Sequence, residues 1–198
     1  MKLVLATQNK DKVREIKNFL SGLKIQILTL DDSQNNFKIK ETGKTLEENA
    51  ILKADAVYKL TKLPTLADDS GLEVQYLKGK PGVRSSRFAG EKATYSDNNL
   101  KLLKLLKGVP VKQRKAQFRC VMALKVSENK IKLLEGKVSG YIATELKGKN
   151  GFGYDPLFYI PKLKKTFAQL SLKQKNKLSH RAKALQKVKK YLQSIIKD

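Results

Sequence analysis

Leu66-Ala67-Asp68-Asp69-Ser70-Gly71 decides how the rest of this chain is read, because an apolar run stops there on two adjacent carboxylates and a glycine. Thr65 to Ala67 read as the end of a buried strand, and successive strand side chains point to opposite faces. Asp68 and Asp69 therefore cannot share one solvent-facing side. One of them is expected to face inward, where a carboxylate needs a metal ion or a base as partner. Acidic residues at the carboxyl end of a strand are also where α/β proteins place ligands. A plain hydrophilic turn is the competing reading, and the segments on either side have to decide.

Toward the amino terminus, Leu3 to Ala6 form a short apolar run typical of a strand covered on both faces. Val13, Ile16 and Leu20 follow at helical spacing, which leaves Thr7 to Lys12 as a loop from strand into helix. Ile25, Ile27 and Leu28 make a second strand, and residues 31 to 44 are polar and loop-like. Thr45-Leu46-Glu47-Glu48 has the form of a capping box, with Thr45 as N-cap and Glu48 at the third helical position. Leu46, Ala50, Ala54, Val57 and Tyr58 continue that helix, and Pro64 marks its end.

Toward the carboxyl terminus, Leu72 to Tyr76 read as another strand, followed by a turn at Gly79-Lys80-Pro81-Gly82. A helix is predicted from just after Ser96, through Leu100, Leu103 and Leu106, to a stop at Gly108. Ala116, Phe118, Cys120, Met122, Leu124 and Val126 alternate cleanly as a strand. Ile131 to Leu134 and Val138 to Ala143 continue a meander, Gly148 to Pro156 form a glycine-rich loop, and Leu157 to Ile160 a short strand. Ser179 is placed to cap a last helix, in which Ala182, Leu185, Val188, Leu192 and Ile195 make one apolar stripe. This order predicts an α/β protein with a mixed β-sheet and flanking helices.

A length of 198 residues fits one large domain or two intimate lobes. The apolar runs are too short to span a membrane. Only four apolar residues follow Met1-Lys2, too few for the core of a secretory signal. A single cysteine, Cys120, excludes an intrachain disulfide and a Cys-based metal cluster. These features predict a cytoplasmic protein with no membrane partner.

Basic residues number 42 against 18 acidic, a net charge of +24 that invites a nucleic-acid reading. The excess is spread along the chain, however, and consists of 36 Lys with only 6 Arg. Base-edge and phosphate recognition favours the planar guanidinium. The charge is better read as a long-range attraction for anionic ligands. Glu41, Asp68 and Asp69 would repel a phosphate backbone in the absence of metal, so no stable nucleic-acid complex is expected.

Four loops carry the candidate chemistry. Thr7-Gln8-Asn9-Lys10-Asp11-Lys12 leads into a helix whose first amide hydrogens attract phosphate, with Lys12 adding a full charge. It lacks the glycines of a P-loop. Glu41 precedes the capped helix and, beside Asp69, gives oxygen ligands suited to Mg²⁺, which takes one or two protein carboxylates and keeps waters and phosphates for the rest. Lys53 lies near the apolar stripe of that helix, either snorkelling or meeting a phosphate. In Gly151-Phe152-Gly153-Tyr154-Asp155-Pro156 the glycines permit close backbone approach and Phe152 offers a flat face to a base; a tight hairpin with packed aromatics is the alternative. His180-Arg181 follows the Ser179 cap, where it would meet an anion or a base carbonyl, with Lys175 five residues before. No nucleophilic triad can be assembled around this lone histidine.

Taken together, these segments resemble the inosine triphosphate pyrophosphatase family, the dITP/XTP pyrophosphatases. The matching pieces are Ala6-Thr7-Gln8-Asn9-Lys10-Asp11-Lys12, Glu41-Thr42-Gly43-Lys44-Thr45, Glu48-Asn49-Ala50 with Lys53-Ala54, and Ala67-Asp68-Asp69-Ser70-Gly71. Pro81-Gly82-Val83 with Ser86-Arg87, Gly151 to Pro156, and Ser179-His180-Arg181-Ala182 complete the set. They occur in the family's order and span nearly the whole chain. The resemblance implies Mg²⁺-dependent hydrolysis of noncanonical purine nucleoside triphosphates between the α and β phosphates. It also implies an elongated mixed α/β fold of two lobes around a central cleft, and a homodimer. By matching position, Asp69 would be the proton acceptor and a metal ligand, with Glu41 as second metal ligand. Thr7, Gln8, Asn9, Lys10, Asp11, Lys12, Ser70, Lys175 and Arg181 would hold substrate, with Lys53 and Arg87 as phosphate contacts. Phe152, Gly153, Tyr154, Asp155 and His180 would surround the purine. The family often has glycine where Gln8 stands, and usually glutamate where Gln169 stands.

Overall fold

In the computed structural model, residues 1–30, 39 and 41–196 are described. Strands and helices alternate through the first third of the chain: β1 (Lys2–Leu5), α1 (Lys10–Leu20), β2 (Gln26–Thr29), α2 (Leu46–Thr61) and β3 (Thr65–Val74). After α3 (Tyr95–Leu105) come β4 (Lys115–Ser127) and β5 (Lys130–Ile142), then the short strands β6 (Phe158–Ile160) and β7 (Lys165–Thr166). Two helices, α4 (Leu172–Leu178) and α5 (His180–Ile196), finish the described chain. The strands form one seven-stranded sheet in the order β2-β1-β3-β4-β5-β6-β7.

The sheet is mixed, as the order of elements predicts. β1 lies parallel to both β2 and β3, because α1 and α2 provide the crossover connections that parallel pairing needs. β5 pairs antiparallel with β6, and β6 with β7. None of the described helices is long and apolar enough to cross a membrane.

The acidic pair does not lie in a turn. β3 runs without interruption from Thr65 to Val74, so Asp68-Asp69-Ser70-Gly71 is the middle of one strand; of the separate strand expected at 72–76, residues 72–74 are its continuation and Gln75–Leu77 form a 3-10 turn. Pairing with β1 ends at Leu5↔Leu66, just before the two carboxylates. Both carboxylates are buried, Asp68 at 1% and Asp69 at 6% exposure, where only one was expected inside. The strand survives its charges because lysines and an arginine distant in sequence neutralise them.

Other boundaries also differ. α1 starts at Lys10, since the Asn9 side chain caps it by accepting from the amides of Asp11 and Lys12. The amides expected to greet a phosphate there are thus engaged by the cap. Thr45 caps α2 as expected, but the Glu48 carboxylate accepts from Lys44 N–H and does not close the box on Thr45. α3 begins two residues early, at Tyr95, with Thr94 and Asp97 forming its capping box. β5 is one strand where two segments were read, and α4 was not foreseen. The loop reading of 31–44 falls largely on residues outside the described ones.

The chain divides into two compact units. One comprises Met1–Asp69, Cys120–Gly136 and the segment from Arg181 onward; the other comprises Ser70–Arg119 and Lys137–His180. The first is built on Leu3, Leu5, Ile16, Leu66, Met122 and the α5 stripe of Leu185, Val188 and Leu192. Each such side chain, fully buried, contributes about 1.5–3 kcal/mol. The second is centred on Leu72, Leu102, Phe118, Phe158 and Phe167, with the Phe118 and Phe158 ring centroids 4.6 Å apart.

Candidate active site

Strand alternation turns Asp68 and Asp69 to opposite sides of β3, where their carboxylates contact different cations. Asp69 Oδ1 accepts from Lys53 Nζ at 2.8 Å, and the same ammonium reaches Glu41 Oε1 at 2.9 Å. Asp69 Oδ2 accepts from Asn49 Nδ2 at 3.3 Å. Asn49 and Lys53 are i and i+4 on α2, on the face that also buries Leu46, Ala50, Ala54 and Val57. An apolar helix face thus delivers two polar groups to the strand.

On the other side, Asp68 Oδ2 lies 3.2 Å from Lys12 Nζ and 3.3 Å from Arg181 Nη2. Arg181 also pairs with Glu15 of α1 and is only 2% exposed. The Cys120 sulfur stands 4.0 Å from Asp68 Oδ2.

These neighbourhoods give the two aspartates different acidities. Burial opposes the charge of Asp68, yet Lys12, Arg181 and Lys53 overcome it and hold the carboxyl well below the usual carboxylate range. For Asp69, burial prevails over Lys53 and Lys12, with Glu41 adding to it, and the carboxyl is pushed up. Burial works against the Lys53 charge, but Asp69, Glu41 and Asp68 outweigh it and keep the ammonium protonated. One aspartate is therefore a fixed anion, and its neighbour is a carboxylate more basic than in water, the property a proton acceptor needs.

The second unit holds a separate cluster. Lys175 Nζ donates to Asp155 Oδ2 at 2.6 Å and sits 4.7 Å from the centre of the Phe152 ring. Asp155 Oδ2 also accepts from Phe152 N–H at 2.9 Å. Gly151 has φ of 76°, and a Cβ there would run into the Asp155 carboxylate, so glycine is required. Tyr95 of α3 approaches Phe152 with centroids 6.0 Å apart, and Asn99, one turn on, donates to Gly153 O at 2.8 Å. The expected loop-borne aromatic and its cation are brought together here.

The remaining sequence-predicted residues are distributed around these groups. Thr7 Oγ1 accepts from Asn9 N–H, whereas Gln8 and Lys10 are exposed and Asp11 turns to Arg14 at 3.1 Å. Ser70 is half-buried, and Arg87 Nε lies 3.7 Å from Glu91. Tyr154 is buried, its hydroxyl donating to Ser85 O at 2.9 Å. His180 stacks on Phe118, centroids 4.6 Å apart and planes 11° from parallel. Glu15, Asn49, Tyr95 and Asn99 were not singled out from sequence. Asn49 left a signal, a polar residue within an apolar helix stripe; Glu15 left none.

A family model described as the Ham1 family matches residues 3–191. The chain belongs to the Ham1 family. A dITP/XTP pyrophosphatase from Thermoanaerobacter pseudethanolicus is 52% identical over 192 residues, covering 97% of this chain and 96% of the relative. The solved structure of the Staphylococcus aureus Ham1 protein is 41% identical with a TM-score of 0.88, over 98% of this chain and 99% of that one. A HAM1 protein from Coxiella burnetii is 42% identical, also with a TM-score of 0.88 and the same coverage. The resemblance read from the motifs and the mixed α/β fold both agree with this Ham1 membership.

Proposed function

We propose that this chain hydrolyses noncanonical purine nucleoside triphosphates (ITP, dITP and XTP) to the monophosphate and pyrophosphate, removing deaminated purines before they enter DNA or RNA. The observation that carries the reading is the convergence of Glu41 and Asp69 on one cation, the Lys53 ammonium. In support, relatives about half identical over nearly their full length carry the name dITP/XTP pyrophosphatase.

The donor set fits Mg²⁺. Two carboxylates already direct oxygens at a common positive charge, and this ion needs no more than one or two from the protein. Glu41 and Asp69 would hold it, and it would neutralise the triphosphate and polarise the reacting phosphoryl group. Asp69 takes a proton from the water that attacks the α-phosphorus. The new O–P bond forms as the bond from that phosphorus to the bridging oxygen breaks, and pyrophosphate departs. Lys53 and Lys12 offset the negative charge that gathers on the phosphoryl oxygens.

In the second cluster, Phe152 presents its ring to the purine. Lys175, held by Asp155, donates to the 6-keto oxygen. A 6-amino purine would put a donor against that ammonium and leave it unpaired, which disfavours adenine nucleotides. The resemblance extends to a homodimer, which light scattering checks directly.

Pyrophosphate release across ITP, dITP, XTP, dATP, dGTP, dTTP and UTP, with Mg²⁺ and with chelator, tests the assignment. Turnover confined to the deaminated purines and abolished by chelator is expected. Equal rates on the pyrimidine nucleotides, or no pyrophosphate release from any nucleotide of the panel, would overturn it.

A further inference from the structure

We propose that Asn49 is a positioning residue for Asp69, tying the proton acceptor to the loop that carries Glu41. Asn49 is fully buried, and both polar atoms of its carboxamide are used. Oδ1 accepts from Gly43 N–H at 2.8 Å, and Nδ2 donates to Asp69 Oδ2 at 3.3 Å. The orientation of the amide follows from its neighbours. A backbone donor on one side and a carboxylate on the other admit only this assignment, since the flipped amide would face donor to donor and acceptor to acceptor.

The geometry around Gly43 shows how closely this latch is built. A Cβ at residue 43 would stand 2.6 Å from Asn49 Oδ1, 2.7 Å from Glu48 Cβ and 2.9 Å from Asn49 N. The backbone conformation at Gly43 is not left-handed; what forbids a side chain is the close approach of Asn49 and of the Glu48 Cβ. Gly43 follows Glu41 by two residues, so one carboxamide fixes the loop bearing one carboxylate and an oxygen of the other.

A carboxylate left alone turns about its terminal torsion in a broad, two-fold well. With Oδ2 held by Asn49, Asp69 is set with Oδ1 toward Lys53, and the oxygen that faces the chemistry is chosen before substrate arrives. Small errors in such alignment cost large factors in rate. This role rests on Asp69 being the proton acceptor.

The test uses the full-length enzyme with dITP and three variants: Asn49→Ala, Asn49→Asp and Gly43→Ala. In each, kcat is expected to fall about 10- to 100-fold while KM changes less than about threefold. Gly43→Ala matters most, because it alters no catalytic or binding side chain and presses on Asn49 and the Glu48 Cβ beside it. Thermal unfolding identifies any variant that fails to fold, and Gly43→Ala then decides. In an Asp69→Asn background, Asn49→Ala should add less than about a threefold loss if it acts through Asp69. Wild-type kcat in folded Gly43→Ala and Asn49→Ala, a raised KM with kcat intact, or a full further loss in the Asp69→Asn background would each overturn the proposal. Asp69→Asn alone separates it from the reading beneath: near-wild-type turnover there removes the proton acceptor, whereas an inactive Asp69→Asn beside a fully active Asn49→Ala removes only the role of Asn49.

Discussion

Lys53 Nζ stands 2.8 Å from Asp69 Oδ1, a helix ammonium seated on a strand carboxylate with both side chains only 8% exposed. Neither group would be stable there alone. Asp69→Asn keeps the shape but cannot accept a proton, so kcat with dITP should fall about 10²- to 10⁴-fold with substrate binding largely retained. Steady-state pyrophosphate release and equilibrium titration with a non-hydrolysable dITP analogue measure the two; turnover close to wild type would refute the assignment.

Phe152 carries a different burden. Its ring is half-buried between Tyr95 and Lys175. Stacking of a base on an aromatic ring is worth about 1–3 kcal/mol, so Phe152→Ala should raise KM for inosine and xanthosine triphosphates roughly 5- to 100-fold. An unchanged KM would show that the ring only packs.

Arg181 is held between two buried carboxylates, those of Glu15 and Asp68. Arg181→Met leaves Glu15 and Asp68 buried with one positive charge fewer. Breaking buried pairs in this way costs about 3–5 kcal/mol. Urea unfolding checks it, and a loss below about 1 kcal/mol would mean that Lys12 and rearrangement suffice.

Tyr154 gives a pH dependence with a definite sign. Burial pushes its hydroxyl above the ordinary tyrosine value, so the folded protein holds that proton more tightly than the unfolded chain. Its contribution is complete below the unfolded pKa of about 10 and fades as pH rises beyond it. Tyr154→Phe also leaves the Ser85 carbonyl without its donor and should cost about 1–2 kcal/mol near neutrality. Chemical unfolding between about pH 8 and 11 should show that gap narrowing as the medium becomes alkaline; a constant gap would contradict the shift.

Gln169 stands where the resemblance implies a glutamate, and the structure gives it a local task. Its Oε1 accepts from Thr166 N–H at 2.9 Å, closing a capping box. A carboxylate accepts equally well. Gln169→Glu should therefore shift stability by no more than about 0.5 kcal/mol and leave kcat unchanged; a large change in turnover would assign the position to the chemistry.

Much of this was legible before any coordinates. Thr45 and the periodicity from Leu46 to Val57 placed α2, strict alternation from Ala116 to Val126 placed β4, and the stripe from Ala182 to Leu192 placed α5. The misreadings share one cause. Asp68-Asp69-Ser70-Gly71 looks like a turn because local chemistry penalises two charges in a strand, and the compensation comes from Lys12, Lys53 and Arg181, which only the tertiary fold supplies. Glu135-Gly136-Lys137 likewise suggested a break that pairing overrides in β5. α4 went unseen because Lys175 is its one buried residue, and no apolar period marks seven residues. Glu15 was missed for the same reason: its partner Arg181 lies far away in the sequence.

Asp69 is the fifth residue of a ten-residue strand. Set into a continuous ladder, the proposed base has no pivot to swing on, so the nucleotide must come to it. The groups proposed for the purine ride on other segments, the glycine-rich turn at 148–156 and the short helix bearing Lys175. Mutational drift can thus remodel which nucleobase is accepted while the hydrolytic apparatus stays as it is, which makes this scaffold a natural starting point for enzymes that police other damaged nucleotides.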